Sequence, residues 1–239
     1  KRLQKELLRQ MEQGRQSEEK KTAFINSICH EVRTPLNSIA GFSELLCDEE
    51  ATPEAHDQYC EIILESRRQL RYLFDDMLEV AYLENLNEPL PRSYLDLCTL
   101  CRSQLRILKI RCPKIGLIYT DSIPAEPIAM VSSEKYLGVL LAALLGNAHK
   151  FTRQGRVRLV CGRESDERVF IAVADTGCGI PPEKYDEVFG RFTKLDPFSQ
   201  GNGLGLYLCR LIVRHLGGEI RIDPEYTEGT RIVVVLPRK

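Results

Sequence analysis

The stretch "VADTGCGIP" (Val173–Pro181) carries an acid out of an apolar run and directly into two glycines. The run before it, "RVFIAVAD" (168–175), is short, β-branched and apolar, and reads as a buried strand. Glycine accepts positive φ and lets a second group approach the backbone, which suits a ligand pressed against the loop; a plain tight turn is the alternative. Working outward, "RVRLVCG" (156–162) pairs with it as a hairpin. Further short β-like runs are "KIGLIY" (114–119), "PIAMV" (127–131), "GEIRID" (218–223) and "TRIVVVLP" (230–237). Helical periodicity fills the gaps at about 96–111, 133–149 and 203–216. Strands and helices in this order predict an α/β sandwich with a mixed sheet over residues 95–239.

Two further segments flank the acid. "LLGNAHKFT" (144–152) closes an apolar helix with Asn147 and, three residues on, Lys150. "GNGLGLYLCR" (201–210) places Gly201, Gly203 and Gly205 before a helix, whose first N–H groups are free to face phosphates. A dinucleotide fingerprint needs a strand before such glycines, and here the loop "FGRFTKLDPFSQ" (189–200) precedes them. A Walker A loop is excluded because no Gly-Lys-Ser/Thr follows.

The N-terminal third has another texture. Residues 1–20 are charged, with Leu3, Leu7 and Met11 spaced for one helix face, a helical lead-in that Gly14 weakens. Phe24, Ile25, Ile28, Val32, Leu36, Ile39, Phe42, Leu45 and Leu46 then step by threes and fours along an amphipathic helix. "CDEEATPEA" (47–55) interrupts it, with Thr52 as N-cap and Pro53 at the first helical position. A second amphipathic helix follows, with Tyr59, Ile62, Ile63, Ser66, Leu70, Leu73, Met77 and Leu78 on its stripe. The segments divide into a lead-in (1–20), an antiparallel helical hairpin (21–86), a linker (87–94, within the proline-broken "NLNEPLPRSY") and the sandwich (95–239), an α+β multidomain chain. Two helices bury little, so pairing of two hairpins into a four-helix bundle is expected.

Composition narrows the function. Lys+Arg 33 against Asp+Glu 34 leave a net charge of −1, which gives no push toward nucleic acid or an anionic membrane. Nine cysteines at irregular spacing sit mostly in apolar segments and read as small hydrophobes in a reducing compartment. Cys98 and Cys101 form a CxxC, but no second pair completes a zinc site. No apolar run reaches the roughly 18 residues of a spanning helix. The chain reads as a cytoplasmic piece of a larger protein, with any membrane or sensor segment lying outside it.

Taken together and in order, these segments resemble the bacterial sensor histidine kinases. "NAHKFT" is similar to that family's N box, "DTGCGI" to its first glycine box, "VFGRFTK" to its F box, "GNGLGL" to its second glycine box, and "HEVRTPL" (30–36) to its H box. The resemblance spans nearly the whole chain from about residue 20. It implies a homodimeric phosphotransfer hairpin followed by the Bergerat or GHKL-like ATP-binding fold shared with gyrase and Hsp90. It also implies ATP and Mg²⁺ as cofactors and the receiver domain of a response regulator as partner.

The resemblance assigns roles by position. His30 accepts the phosphoryl group; Glu31 orients the imidazole and takes its proton; Thr34, one turn on, positions a water for phosphatase action. Asn147 holds Mg²⁺, Lys150 faces the phosphates with Phe151 beside it, and Asp175 accepts from the adenine amino group. Gly177 and Gly179 admit the base, and Arg191 stabilises charge on the γ-phosphate. Gly201, Gly203 and Gly205 hinge a short lid at roughly 193–202. A zincin reading of the His-Glu pair fails because position 34 is Thr rather than a second His. Pro35 removes an N–H and is expected to bend the helix just past His30. The sequence departs from the family at Ala143, where a second Asn is usual, and at "SSEKYL" (132–137). Losing one polar partner weakens Mg·ATP by roughly 1–3 kcal/mol, so slow autophosphorylation is expected. A nucleotide-binding docking module with little turnover is the alternative; a non-kinase ATPase of the same superfamily would not need the His-Glu pair.

Overall fold

A computed structural model describes the backbone of residues 2–47, 52–195 and 203–239, and the side chains of all of these except 2–21, 23 and 24. The chain forms two compact units, one ending at Met77 and the other starting at Leu78.

The first unit is helical. α1 runs Arg2–Leu45 without a break. It passes through Gly14, because one glycine costs only about 1 kcal/mol against the cooperativity of a long helix. Pro35 lies inside it, buried, and carries no backbone N–H to donate to the helix. α2 runs Pro53–Asn85 and begins as the sequence predicts: the Ala55 N–H donates to Thr52 Oγ1 at 3.3 Å. Phe42, near the end of α1, meets Tyr59, near the start of α2, with ring centroids 5.5 Å apart. Ile25, Leu36 and Leu45 on α1, and Ile62, Leu64, Tyr72 and Phe74 on α2, are exposed.

The second unit carries the sheet. Its strands are β1 (Ser93–Asp96), β2 (Leu117–Ser122), β3 (Ala129–Ser132), β4 (Gly155–Arg163), β5 (Arg168–Asp175), β6 (Glu219–Ile222) and β7 (Arg231–Pro237). Its helices are α3 (Leu97–Arg111), α4 (Glu134–Phe151) and α5 (Gly205–His215). The five-stranded order is β2-β4-β5-β7-β6, parallel between β2 and β4 and antiparallel elsewhere. This is the expected mixed sheet.

The strand period of two sorts the faces. Val169, Ile171 and Val173 of β5, with Ile232, Val234 and Leu236 of β7, join the main core with α3, α4 and α5. Ala172, Val233 and Val235 form a small cluster on the other side. The helices therefore cover one face, a two-layer sandwich. Asp175 continues the 169-171-173 series and so points into the helical layer.

One strand was not expected. Ser93–Asp96, whose first two residues fall within the expected linker, pairs antiparallel with β3 in a two-stranded ribbon. Asp96 ends β1 and caps α3: its carboxylate accepts from the Cys98 and Thr99 amides, both at 3.1 Å, and from the Ile128 amide at 2.9 Å. Burial pushes this carboxyl up, but the Thr99, Ile128 and Cys98 hydrogen bonds outweigh it and hold its pKa below the usual value. Arg238 ties the ribbon down, its carbonyl accepting from the Val131 amide and its own amide donating to the Glu167 carbonyl.

The nine thiols are free. Cys98, Cys101, Cys161 and Cys209 are buried in the second unit, whereas Cys29, Cys47, Cys60, Cys112 and Cys178 are exposed. Burial pushes the Cys98 thiol up to about 11, in keeping with a packing role for the CxxC. Among the described residues no helix is long and apolar enough to cross a membrane.

Candidate functional site

In the second unit, four segments distant in sequence converge at one end of the sheet. The first is the last turn of α4. Thr152 is fully buried; its hydroxyl donates to the Ala148 carbonyl at 2.7 Å and ends the helix there. The Lys114 ammonium donates to the His149 and Thr152 carbonyls at 3.0 and 2.7 Å, and Tyr119 Oη lies 2.6 Å from His149 Nδ1. These braces fix the turn that carries Asn147, Lys150 and Phe151. Lys150 Nζ lies 4.3 Å from the Phe151 ring centroid.

The second segment is the turn after β5. Asp175 is 6% exposed and accepts from the Gly177 amide at 2.8 Å and, more weakly, the Thr230 amide at 3.4 Å. Desolvation raises its pKa and prevails over these two hydrogen bonds. The glycines are required by contact. A Cβ on Gly177 would lie 2.5 Å from the Phe151 carbonyl oxygen, so this loop presses directly on the end of α4. Gly179 has φ +72° and faces Gly229. Thr176 Oγ1 accepts from the Arg156 amide at 2.9 Å and anchors the loop to β4.

The third segment, Gly229–Thr230, was not singled out from the sequence. A Cβ on Gly229 would lie 2.3 Å from the Asp175 carbonyl oxygen and 2.8 Å from the Gly177 nitrogen. Its only trace is a small residue just before the last strand, "EGT", because its contribution is made by backbone.

The fourth segment is the second glycine run. Gly203 has φ +67°, and a Cβ there would lie 2.6 Å from the Phe192 carbonyl carbon; Phe192 itself has φ 54°. The F-box segment and the second glycine box are therefore locked backbone to backbone. Gly205 opens α5, and a Cβ there would lie 3.7 Å from Asn147 Nδ2, which brings the helix start beside the asparagine. Gly201 and most of the expected lid, 196–202, lie outside the described residues.

Together these segments place a buried carboxylate, an asparagine amide, a lysine and the N-terminus of a helix around one end of the sheet. That set suits a purine base at one side and an anionic phosphate chain at the other. Should Mg²⁺ bind here, the Asn147 amide would offer it one neutral oxygen, and Ala143, one turn earlier, would offer none. A single protein oxygen fits an ion held chiefly by phosphates and water.

Arg191 lies elsewhere in its contacts. It pairs with Glu84, from the end of α2 that belongs to this same unit, and its guanidinium carbon lies 5.2 Å from the Tyr207 ring centroid. Tyr207 Oη also donates to Glu84.

In the first unit, His30 is exposed, with 78% of its side chain accessible. Its Nδ1 lies 3.8 Å from Glu31 Oε1, beyond hydrogen-bond length but within a small rotation of it. Thr34 is one turn further, its hydroxyl 3.3 Å from the His30 carbonyl that it donates to.

Comparison with known proteins follows this division. A family model described as the His Kinase A (phospho-acceptor) domain matches residues 20–86. A second, described as histidine kinase-, DNA gyrase B-, and HSP90-like ATPase, matches 132–239. The sensor protein SrrB of Staphylococcus aureus is 27% identical over 237 residues, 97% of this chain and 40% of its own length. The chain thus spans about two fifths of such relatives. Among solved structures, full-length ShkA in complex with AMPPNP is 27% identical with a TM-score of 0.66, covering 87% of this chain and 44% of that one. The histidine kinase ThkA in complex with the response regulator protein TrrA shares the fold at 20% identity and a TM-score of 0.75, over 96% and 66% of the two chains. With an exposed histidine on one helical unit and the glycine-lined lobe in the next, the chain belongs to the two-component sensor histidine kinases.

Proposed function

We propose that this chain is the catalytic core of a sensor kinase that transfers the γ-phosphoryl group of ATP to His30 and then to an aspartate on a response-regulator receiver domain. The observation that carries this is the exposed His30 imidazole, with Nδ1 turned toward Glu31, in one chain with the nucleotide lobe. Glu31 favours the tautomer with hydrogen on Nδ1, which leaves Nε2 as the free nucleophile. As the Nε2–P bond forms, the bond from phosphorus to the β,γ-bridging oxygen breaks and ADP leaves; the Nδ1 proton moves to Glu31. Asp175 receives the adenine amino group, and Gly177, Gly179 and Gly229 keep that wall backbone-thin. Lys150 and the start of α5 at Gly205 meet the phosphates, Arg191 offsets charge on the γ-phosphate, and Gly203 hinges the segment between. When bound, Mg²⁺ neutralises phosphate charge, and Asn147 would hold it. Thr34 would orient a water for hydrolysis of the phosphorylated regulator.

The exposed apolar residues of α1 and α2 support a homodimer through a four-helix bundle. Any membrane attachment belongs to segments outside this chain, which would lie in the cytoplasm. The receiver partner is supported by the fold shared with ThkA, whose structure contains a response regulator.

The test is incorporation of radiolabelled phosphate from ATP. Acid-labile label is expected on the wild type, slowly, and absent from His30→Ala. Ala143→Asn is expected to label about tenfold faster, the fold-change of about 1.4 kcal/mol. Label surviving in His30→Ala removes His30 from the mechanism. Nucleotide binding without any label leaves a docking module.

A further inference from the structure

The last turns of α2 carry a cluster that the proposed transfer does not use. From Leu78 onward this helix belongs to the second unit, and it is built into that unit's core: Val80 and Leu83 are each 1% exposed and pack with the α4 and α5 residues. A helix end leaves its last carbonyls without helical partners. Here His215 Nε2 sits 2.6 Å from the Leu83 carbonyl oxygen, and Asn85 Nδ2 donates to the Ala81 carbonyl at 2.7 Å. Glu79 pairs with Lys135 on α4 at 3.1 Å. One turn beyond that pair, Glu84 takes both the Arg191 guanidinium and the Tyr207 hydroxyl. Its carboxylate is 23% exposed, and Tyr207 is 8% exposed.

We infer that Glu84 is a positioning residue that holds Arg191 in an off state, clamped to the seated end of α2. This rests on the reading of Arg191 as the group that offsets γ-phosphate charge. A guanidinium in contact with a carboxylate has its charge matched already, here between Arg191 Nη2 and Glu84 Oε1. The same arginine cannot offer its full charge to a phosphate while Glu84 holds it. Tyr207 sets the geometry from below: its ring lies under the guanidinium and its hydroxyl donates to Glu84 Oε1, the same oxygen that Arg191 meets. Any displacement of the last α2 turn carries Glu84 away from Arg191, since both Leu83 and Glu84 ride on that turn. The fold thereby links the position of one helix end to the availability of one cation. The second ion pair, Glu79 with Lys135, seats the same helix but touches no group assigned to the phosphates, and so supplies an internal control.

The experiment measures phosphohistidine formation against ATP concentration for the wild type, Glu84→Gln, Glu84→Ala and Glu79→Gln, with binding of a fluorescent ATP analogue measured in parallel. Glu84→Gln keeps the side-chain shape and an acceptor for Tyr207 but removes the charge; Glu84→Ala gives a second route should the amide misfold. Expected is a rise of at least fivefold in kcat for both Glu84 variants, KM and analogue affinity staying within about twofold of wild type. Glu79→Gln is expected to leave kcat within twofold. Equal or slower labelling in the Glu84 variants, with His30-dependent label present, overturns the clamp alone. An equal rise in Glu79→Gln also overturns it, since seating of the helix and not Arg191 would then be the lever. Analogue binding with no label on any chain overturns the kinase reading, and the clamp with it.

Discussion

Asp175 ends a strand whose alternation aims it at the helical layer, and there its charge is disfavoured by burial. A raised pKa in the folded state has a definite sign. Above the ordinary value of 3.8, the unfolded chain releases this proton first, so folding loses stability as pH rises through the folded-state pKa. Once ionised, this carboxylate costs the fold stability, a cost that the proposed contact with adenine would explain. Asp175→Asn is therefore expected to melt no lower than wild type at pH 7 while binding a fluorescent ATP analogue at least about tenfold more weakly, or about 1.4 kcal/mol. Thermal melts and a binding titration check both halves, and an affinity loss under twofold would refute the role. The position of this acid was legible because the strand period and the glycines after it are side-chain facts. Gly229 and Thr230 were not legible, because they act through a main chain that looks alike in every residue.

The start of α3 belongs to the scale of elements. Asp96 closes β1, caps the helix and holds Ile128 of the neighbouring segment, so one carboxylate joins three elements. Asp96→Ala is expected to lower unfolding free energy by about 2 kcal/mol, the upper range for a lost cap with further hydrogen bonds. Its pKa is lowered on folding, so the stabilisation is present above 3.8 and is lost as pH falls through the folded value. Urea melts should show a larger penalty at pH 7 than at pH 3; equal penalties at both would contradict the assignment. The long, strongly patterned elements were readable: α4, α5, the β4–β5 hairpin and the Thr52 cap all stand where period and capping residues put them. β1 was hidden for a physical reason. It has four residues, follows two prolines, and exists only because a segment some thirty residues ahead lies alongside it.

At the scale of the molecule, the two compact units meet at Met77 and Leu78, inside α2. Val80 and Leu83 extend the same apolar stripe as Leu73, so no local signal tells which core each will join. What the stripe does reveal is surplus. Leu36, Ile62, Leu64 and Phe74 remain exposed on the first unit, more apolar surface than isolated helices hold in water. The chain is expected to sediment as a dimer, and Leu36→Glu with Ile62→Glu to sediment as a monomer that still binds nucleotide. A wild-type chain sedimenting as a monomer would remove the four-helix arrangement.

The thiol placement also turns the protein into its own reporter. Four cysteines are sealed inside the second unit and five face water, one of them, Cys178, between the glycines that flank the proposed adenine wall. A brief pulse of an alkylating reagent thus reads two things by mass alone. Delayed additions at positions 98, 101, 161 and 209 time the opening of the lobe. Shielding at 178 when nucleotide is added registers occupancy, with no dye, label or substitution introduced.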